Sequence, residues 1–362
     1  MTTSPKHQEN EMDSIYLNDL FRQVTETVKK LPKSRITILR WKVFILPLIY
    51  ILIYLAAIGQ SERPGLFFLL YALMGIWVVV IFVNLIHEAC HGNIFPKARH
   101  NQLVYYIFDM LGANSYIWKQ RHLVLHHRFP NTNGWDADVE QKGPVSVFPY
   151  EPIKGYQRYQ HLYVFFLYPL FMINWLFVRD FRDYTSKNRI IRKCIRIPGI
   201  EIFKLILFKS CYLFMMVGIP WLIAGFTFWQ ALAGLVILTI AGSLAAMFVL
   251  LTPHINTGNV FPQPDENGTL PFSWLRHQLS CTNDISLSNW FTRHLMGNFN
   301  YHVAHHIFPR ISSVYAPEVT RVLESYARKH NLPYRSVSLR TSFRMHYQLI
   351  KNNAMRWQDI EL

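Results

Sequence analysis

The sequence predicts an all-α integral membrane protein: four transmembrane helices in two hairpins, with interfacial helices and a cytoplasmic helical cap. Three observations carry this. Of 362 residues, 51% are apolar and only 16% charged, the balance of a chain that hides much of its surface in lipid. Several uncharged apolar runs approach the length needed to cross about 30 Å of hydrocarbon. Beside those runs stand three histidine clusters, His87-Glu-Ala-Cys-His91, His122-Leu-Val-Leu-His126-His127 and His302-Val-Ala-His305-His306. Net charge is +15, but Lys and Arg flank the apolar runs rather than forming blocks, which fits a basic cytoplasmic face against anionic headgroups and gives no reason to expect a nucleic-acid partner. Cys90, Cys194, Cys211 and Cys281 lack paired spacing, so neither a disulfide framework nor a thiolate metal site is expected.

Taken in order, residues 1–42 form a cytoplasmic N-terminal segment, too polar at the start for a cleavable signal. Spans are predicted at 43–59 and 65–86, with the loop 60–64 outside. The bases Lys29 to Lys42 hold the N-terminus in the cytoplasm, and the chain returns there at His87. Residues 102–118 contain Asp109 and Asn114 and are read as interfacial or shallowly re-entrant. Three further apolar candidates follow: Leu162–Val178, Leu205–Ala224 and Ala231–Leu251. If all histidine clusters share one side of the bilayer, an even number of spans separates His127 from His302. The first candidate is the shortest and runs into Arg179-Asp180, so it is placed in the interface, and 205–224 and 231–251 make the second hairpin. Lys209 is expected to snorkel from near a helix end. Residues 336–362 form a cytoplasmic tail.

Imidazole beside hydrocarbon is costly unless something binds it, and the usual something is a metal. On an α-helix residues four apart share a face, so His87/His91, His122/His126 and His302/His306 each aim two nitrogens the same way, with His305 beside the last pair. His254, in Thr-Pro-His-Ile-Asn-Thr-Gly-Asn at the end of a predicted span, is a candidate ninth ligand. His7, His100, His161, His277, His294, His330 and His346 are read as structural or solvated. Redox-inert zinc rarely needs so many ligands, whereas two irons can divide them and leave positions for oxygen. At the ends of lipid-embedded helices, oxygen chemistry implies a long apolar substrate whose unactivated C–H bonds are attacked.

The boxes H-x-x-x-H, H-x-x-x-H-H and H-x-x-H-H at these positions resemble the integral-membrane fatty acid desaturases. The likeness runs from about residue 40 to 335 and makes 43–335 a membrane desaturase domain, whose cap holds the di-iron site. Asn300-Tyr-His-Val-Ala-His-His-Ile-Phe-Pro309 is similar to bacterial acyl desaturases related to the front-end group, although His302 stands where front-end enzymes often carry Gln. The resemblance implies two iron ions held by His87, His91, His122, His126, His127, His254, His302, His305 and His306, with O₂ and two electrons consumed per double bond. It also implies an acyl substrate on coenzyme A, a carrier protein or a lipid, and a bacterial inner-membrane location. No His-Pro-Gly-Gly haem-domain motif is present, so a separate ferredoxin or cytochrome is expected to donate electrons. Asp136 and Asp138 are candidates to orient ligand imidazoles, with helix or turn capping as the alternative. Glu88 is read either as orienting a ligand or as facing water. Trp118, Lys119 and Arg121 are read as an interfacial anchor or as headgroup contacts. Two other functions compete: a fatty acyl or lipid hydroxylase built on the same boxes, and an intramembrane zinc protease reading His87-Glu-x-x-His91 alone.

Overall fold

The apolar runs fold into helices longer than hydropathy alone delimits. In the computed structural model, which describes residues 4–139, 143–251 and 253–356, five helices are long and apolar enough to cross a membrane: Ser34–Ile58, Pro64–Cys90, Gly155–Cys194, Gly199–Leu222 and Phe228–Leu251. The third contains the run Leu162–Val178, expected to lie in the interface, so helix length by itself marks five candidates rather than four. It is not a uniform α-helix. A 3-10 turn at Tyr168–Leu170, where Pro169 supplies no N–H, and a π turn at Trp175–Arg179 interrupt it. The first helix starts ahead of residue 43 because nothing from Ser34 to Lys42 breaks a helix. Its bases are used locally: Arg40 donates to the Ile94 carbonyl at 3.0 Å and Lys42 to the Asn84 amide oxygen at 2.6 Å.

The chain divides into two compact units. One comprises Ser34–Lys119 and Phe166–Val249 and holds most of the apolar helix. Within it, Pro64–Cys90 and Phe228–Leu251 close on small residues. A Cβ at Gly75 would collide with the Leu238 carbonyl and reach the Gly242 nitrogen at 2.9 Å, and one at Gly234 would reach the Phe67 ring at 2.7 Å. In lipid such close approach replaces the hydrophobic drive that water would supply. Lys209 does not snorkel. It is 3% exposed, pairs with the buried Asp180 at 3.1 Å and donates to the Gly112 carbonyl at 2.8 Å. A lysine in the middle of the helix Gly199–Leu222 is held by a carboxylate from another segment of the same unit, so it has no reason to reach for water. Residues 102–118 form broken short helices that turn at Gly112, whose φ is +84° and whose Cβ position the Tyr212 ring fills.

The other unit comprises the described residues of Met1–Lys33, Gln120–Phe165 and Leu250–Leu362. It is not wholly helical: Lys6–His7 pairs with Thr269–Leu270 and Asp284–Ile285 with Ser336–Val337, both parallel, tying both ends of the chain into the unit. The N-terminal helix Glu11–Lys29 packs against Ala316–Lys329. Its buried Asp13 accepts from Ser273 Oγ at 2.7 Å and Arg276 Nε at 2.9 Å. The C-terminal helix Leu339–Met355 is built into the same unit through Asn353, which donates to the Val147 carbonyl at 2.8 Å. The last part of the expected tail, 357–362, lies outside the described residues.

Candidate metal centre

The second histidine box sits on a π-helical stretch, Gln120–His126, extended by a hydrogen bond from the His127 N–H to the His122 carbonyl at 2.9 Å. The spacing argument assumed an α-helix. A π turn changes its outcome, because residues five apart now share a face. His127 Nε2 accordingly lies 3.2 Å from His122 Nε2, and 3.0 Å from His305 Nε2 of the third box. That third box is a short α-helix, His302–Ile307, on which His302 and His306 bring their rings to 4.8 Å.

Four imidazoles of this unit converge: His126, His254, His302 and His306 each offer one nitrogen within 4.8 Å of all the others, and all four are buried. His254 arrives from a loop fixed by side-chain amides. Its carbonyl accepts from Asn131 Nδ2 at 3.1 Å and Asn259 Nδ2 at 2.9 Å, and its Nε2 faces His302 Nε2 at 2.7 Å. Nitrogens bound to one ion at about 2.1 Å stand roughly 3.0–3.4 Å apart for bond angles of 90–109°. The observed separations of 2.7, 3.0 and 3.2 Å are close to the edges of such polyhedra.

The opposite nitrogens explain why these point inward. His126 Nδ1 donates to both oxygens of Asp136, at 2.9 and 3.0 Å, and His122 Nδ1 to Asp138 at 3.0 Å. His306 Nδ1 donates to the Gln278 amide oxygen at 3.0 Å. Each of these bonds fixes a tautomer and leaves Nε2 as a lone pair. For His306, which is 0% exposed, that Nε2 has no hydrogen-bond partner. A buried lone pair facing other imidazoles is costly unless a cation takes it. Burial also pushes His254 down to about 3 and His306 well below the ordinary histidine range, so both rings are neutral. Burial pushes the Asp136 carboxyl up, but the electrostatic pull and hydrogen bond of the His126 ring N–H outweigh it and hold the group below its ordinary value. Backbone N–H groups of Asn131, Asp138 and Val139 bond the same carboxylate. Asp136 therefore both caps its turn and orients His126, the two roles the sequence left as alternatives. Neutral imidazoles with an anion behind one of them suit a first-row divalent metal.

The first box lies in the other unit. A π turn, Phe82–Ile86, leads into it, and His87 and His91 bring their rings to 4.9 Å. Glu88 is 1% exposed and does not face water. Two surface assignments also fail. Trp118 is buried against Phe82 and Phe108, so it is no interfacial anchor, and Arg121 is fully buried with its Nε 3.9 Å from Asp138. Gln278 carries no local signal in the sequence, because its partners lie far away along the chain. Asn131 adopts a left-handed φ of 55°, and its side chain reaches the carbonyls of His254, Val260 and Cys281.

The family model for fatty acid desaturases matches residues 62–338. An acyl-lipid (8-3)-desaturase of Physcomitrium patens is 27% identical over 81% of this chain and 61% of its own length. The sn-1 linoleoyl-lipid 6-desaturases of Arthrospira platensis and Synechocystis are 27% and 25% identical over 72% and 70% of this chain, and over 70% of their own lengths. The zinc-protease reading, which used only the first box, leaves this likeness unexplained. With the matched region covering well over half of its length, the chain belongs to the fatty acid desaturase family.

Proposed function

We propose that this protein is a membrane fatty acyl desaturase that uses O₂ and two electrons at a histidine-held pair of irons to convert a CH₂–CH₂ unit of a long acyl chain into a C=C bond. Two protons and the two abstracted hydrogens leave with the oxygen as two waters. The observation that carries the reading is the buried set His126, His254, His302 and His306 with one nitrogen each turned to a common point. Nine histidines exceed what one ion holds but suit two, so His87, His91, His122, His127 and His305 are assigned to the second metal. When bound, the metal pair supplies the oxygen activation that no side chain here can provide. The protein's own part is to hold neutral imidazoles in fixed tautomers through Asp136, Asp138 and Gln278, and to keep them from water.

The relatives' names favour an acyl chain carried on a glycerolipid over a soluble thioester, and the electrons are assigned to a separate carrier such as a ferredoxin or a cytochrome. Four crossing helices, with Gly155–Cys194 lying partly in the interface and both termini in the cytoplasm of a bacterial cell, keep the three boxes on one side of the membrane. The 3-10 turn at Tyr168–Leu170, of a kind that the other four candidate helices lack, supports that placement.

Gas chromatography of fatty acids from cells expressing the protein should show an unsaturated product that His126→Ala cells lack, with both proteins at equal level in the membrane. A hydroxylated product instead would move the chain to the hydroxylase branch. Protein purified without chelator should carry close to two irons, and treatment with a chelator should abolish O₂ consumption until iron is restored. One tightly bound zinc with no oxygen dependence would overturn the assignment.

A further inference from the structure

Gln278 sits on the helix Trp274–Cys281, entered through Ser273, whose hydroxyl accepts from the Arg276 N–H. It is 0% exposed and uses both ends of its amide. Its oxygen accepts from His306 Nδ1 at 3.0 Å, and its nitrogen donates to the His127 carbonyl at 3.0 Å. One side chain thus joins the backbone of the second histidine box to the ring of a third-box ligand. It also differs in kind from its counterparts. His126 and His122 back onto carboxylates, whereas His306 backs onto a neutral amide. A carboxylate acceptor pulls the imidazole toward imidazolate and makes it a stronger donor, and an amide does so far less.

We propose that Gln278 is a positioning residue of the metal centre: it fixes the His306 tautomer so that Nε2 faces the metal, registers the second box against the third, and keeps His306 a weaker donor than His126. The proposal rests on the metal-binding reading above. The asymmetry lies within the four-histidine set, where His126 backs onto a carboxylate and His306 onto an amide, so the donors around one position differ in strength.

The test uses the full-length protein in detergent, stripped of metal and titrated with cobalt(II) against a chromophoric chelator. Gln278→Leu removes both amide bonds and should weaken cobalt binding about 10–100-fold at one of two equivalents. Gln278→Glu keeps the acceptor for His306 but loses the donor to the His127 carbonyl, so it should recover part of the affinity lost in Gln278→Leu while shifting the cobalt d–d absorption through the stronger His306 donor. Helix content and melting temperature are read on both variants. Wild-type affinity in a folded Gln278→Leu protein would overturn the proposal. So would equal weakening in Leu and Glu variants with equally lowered melting temperatures, which marks a purely structural residue. If the wild-type protein itself binds no cobalt, the metal reading has failed and this inference falls with it.

Discussion

His277 and His346 are as deeply buried as the clustered histidines, yet each uses a ring nitrogen on a backbone carbonyl: His277 on Pro130 at 2.8 Å and His346 on Ile255 at 2.6 Å. Burial pushes both down from 6.5 to about 4. In the unfolded chain they take up a proton near 6.5, so their contribution to stability is complete above that pH. It is lost as pH falls toward 4, by up to about 3 kcal/mol each. His277→Gln keeps a donor for Pro130 without a titrating ring, and its unfolding free energy should vary less between pH 6.5 and 4 than that of the wild type. Parallel curves would refute the neutral-ring assignment. The two were legible only as histidines outside any cluster, because a carbonyl partner far along the chain leaves no spacing to read. His122 and His126 were legible as a pair from their four-residue spacing, with Asp136 and Asp138 close enough in sequence to be named as partners, whereas Gln278 is sequence-remote from both groups that it holds.

Existence and order of the long helices follow from apolar run length, and those were readable. Their internal irregularities were not. The π turns at Phe82–Ile86 and Gln120–His126 arise where side chains must meet neighbours that the local pattern does not name. The same holds for the clamp of Lys209, Asp180 and the Gly112 carbonyl, which joins three elements of one unit. Removing one partner of a buried pair costs about 3–5 kcal/mol, because the other charge is left without compensation. Lys209→Ala should therefore lower the melting temperature in detergent markedly. The double substitution Lys209→Met with Asp180→Leu should recover most of the loss. A double variant no better than the single would show that the pair's geometry, rather than its charge balance, holds the elements.

At the scale of the molecule, the proposed orientation places the loops at Ser61 and Thr227 on one side of the bilayer and the third box on the other. Single cysteines at Ser61, Thr227 and Arg310, all exposed positions, should label from outside, outside and inside respectively, in an otherwise cysteine-free protein in intact cells. Labelling of the Arg310 cysteine from outside would contradict a site shared by all three boxes. The histidine positions and the number of spans are all that such an arrangement requires to be read from the sequence. What the sequence could not supply was the division into two units, since that depends on which distant segments pack together.

The unit that carries His126, His254, His302 and His306 is assembled from three separated stretches of chain, and this sets a timetable. A ribosome adding about 5–20 residues each second needs roughly 10–40 s to travel from His126 to His306. For most of that interval the second box has its aspartates but neither Gln278 nor the third-box histidines. The four-histidine set is complete only once His306 has been made, so any metal that it takes enters late in biogenesis. Any message truncated before the third box would encode the whole apolar unit but leave the four-histidine set without His302 and His306.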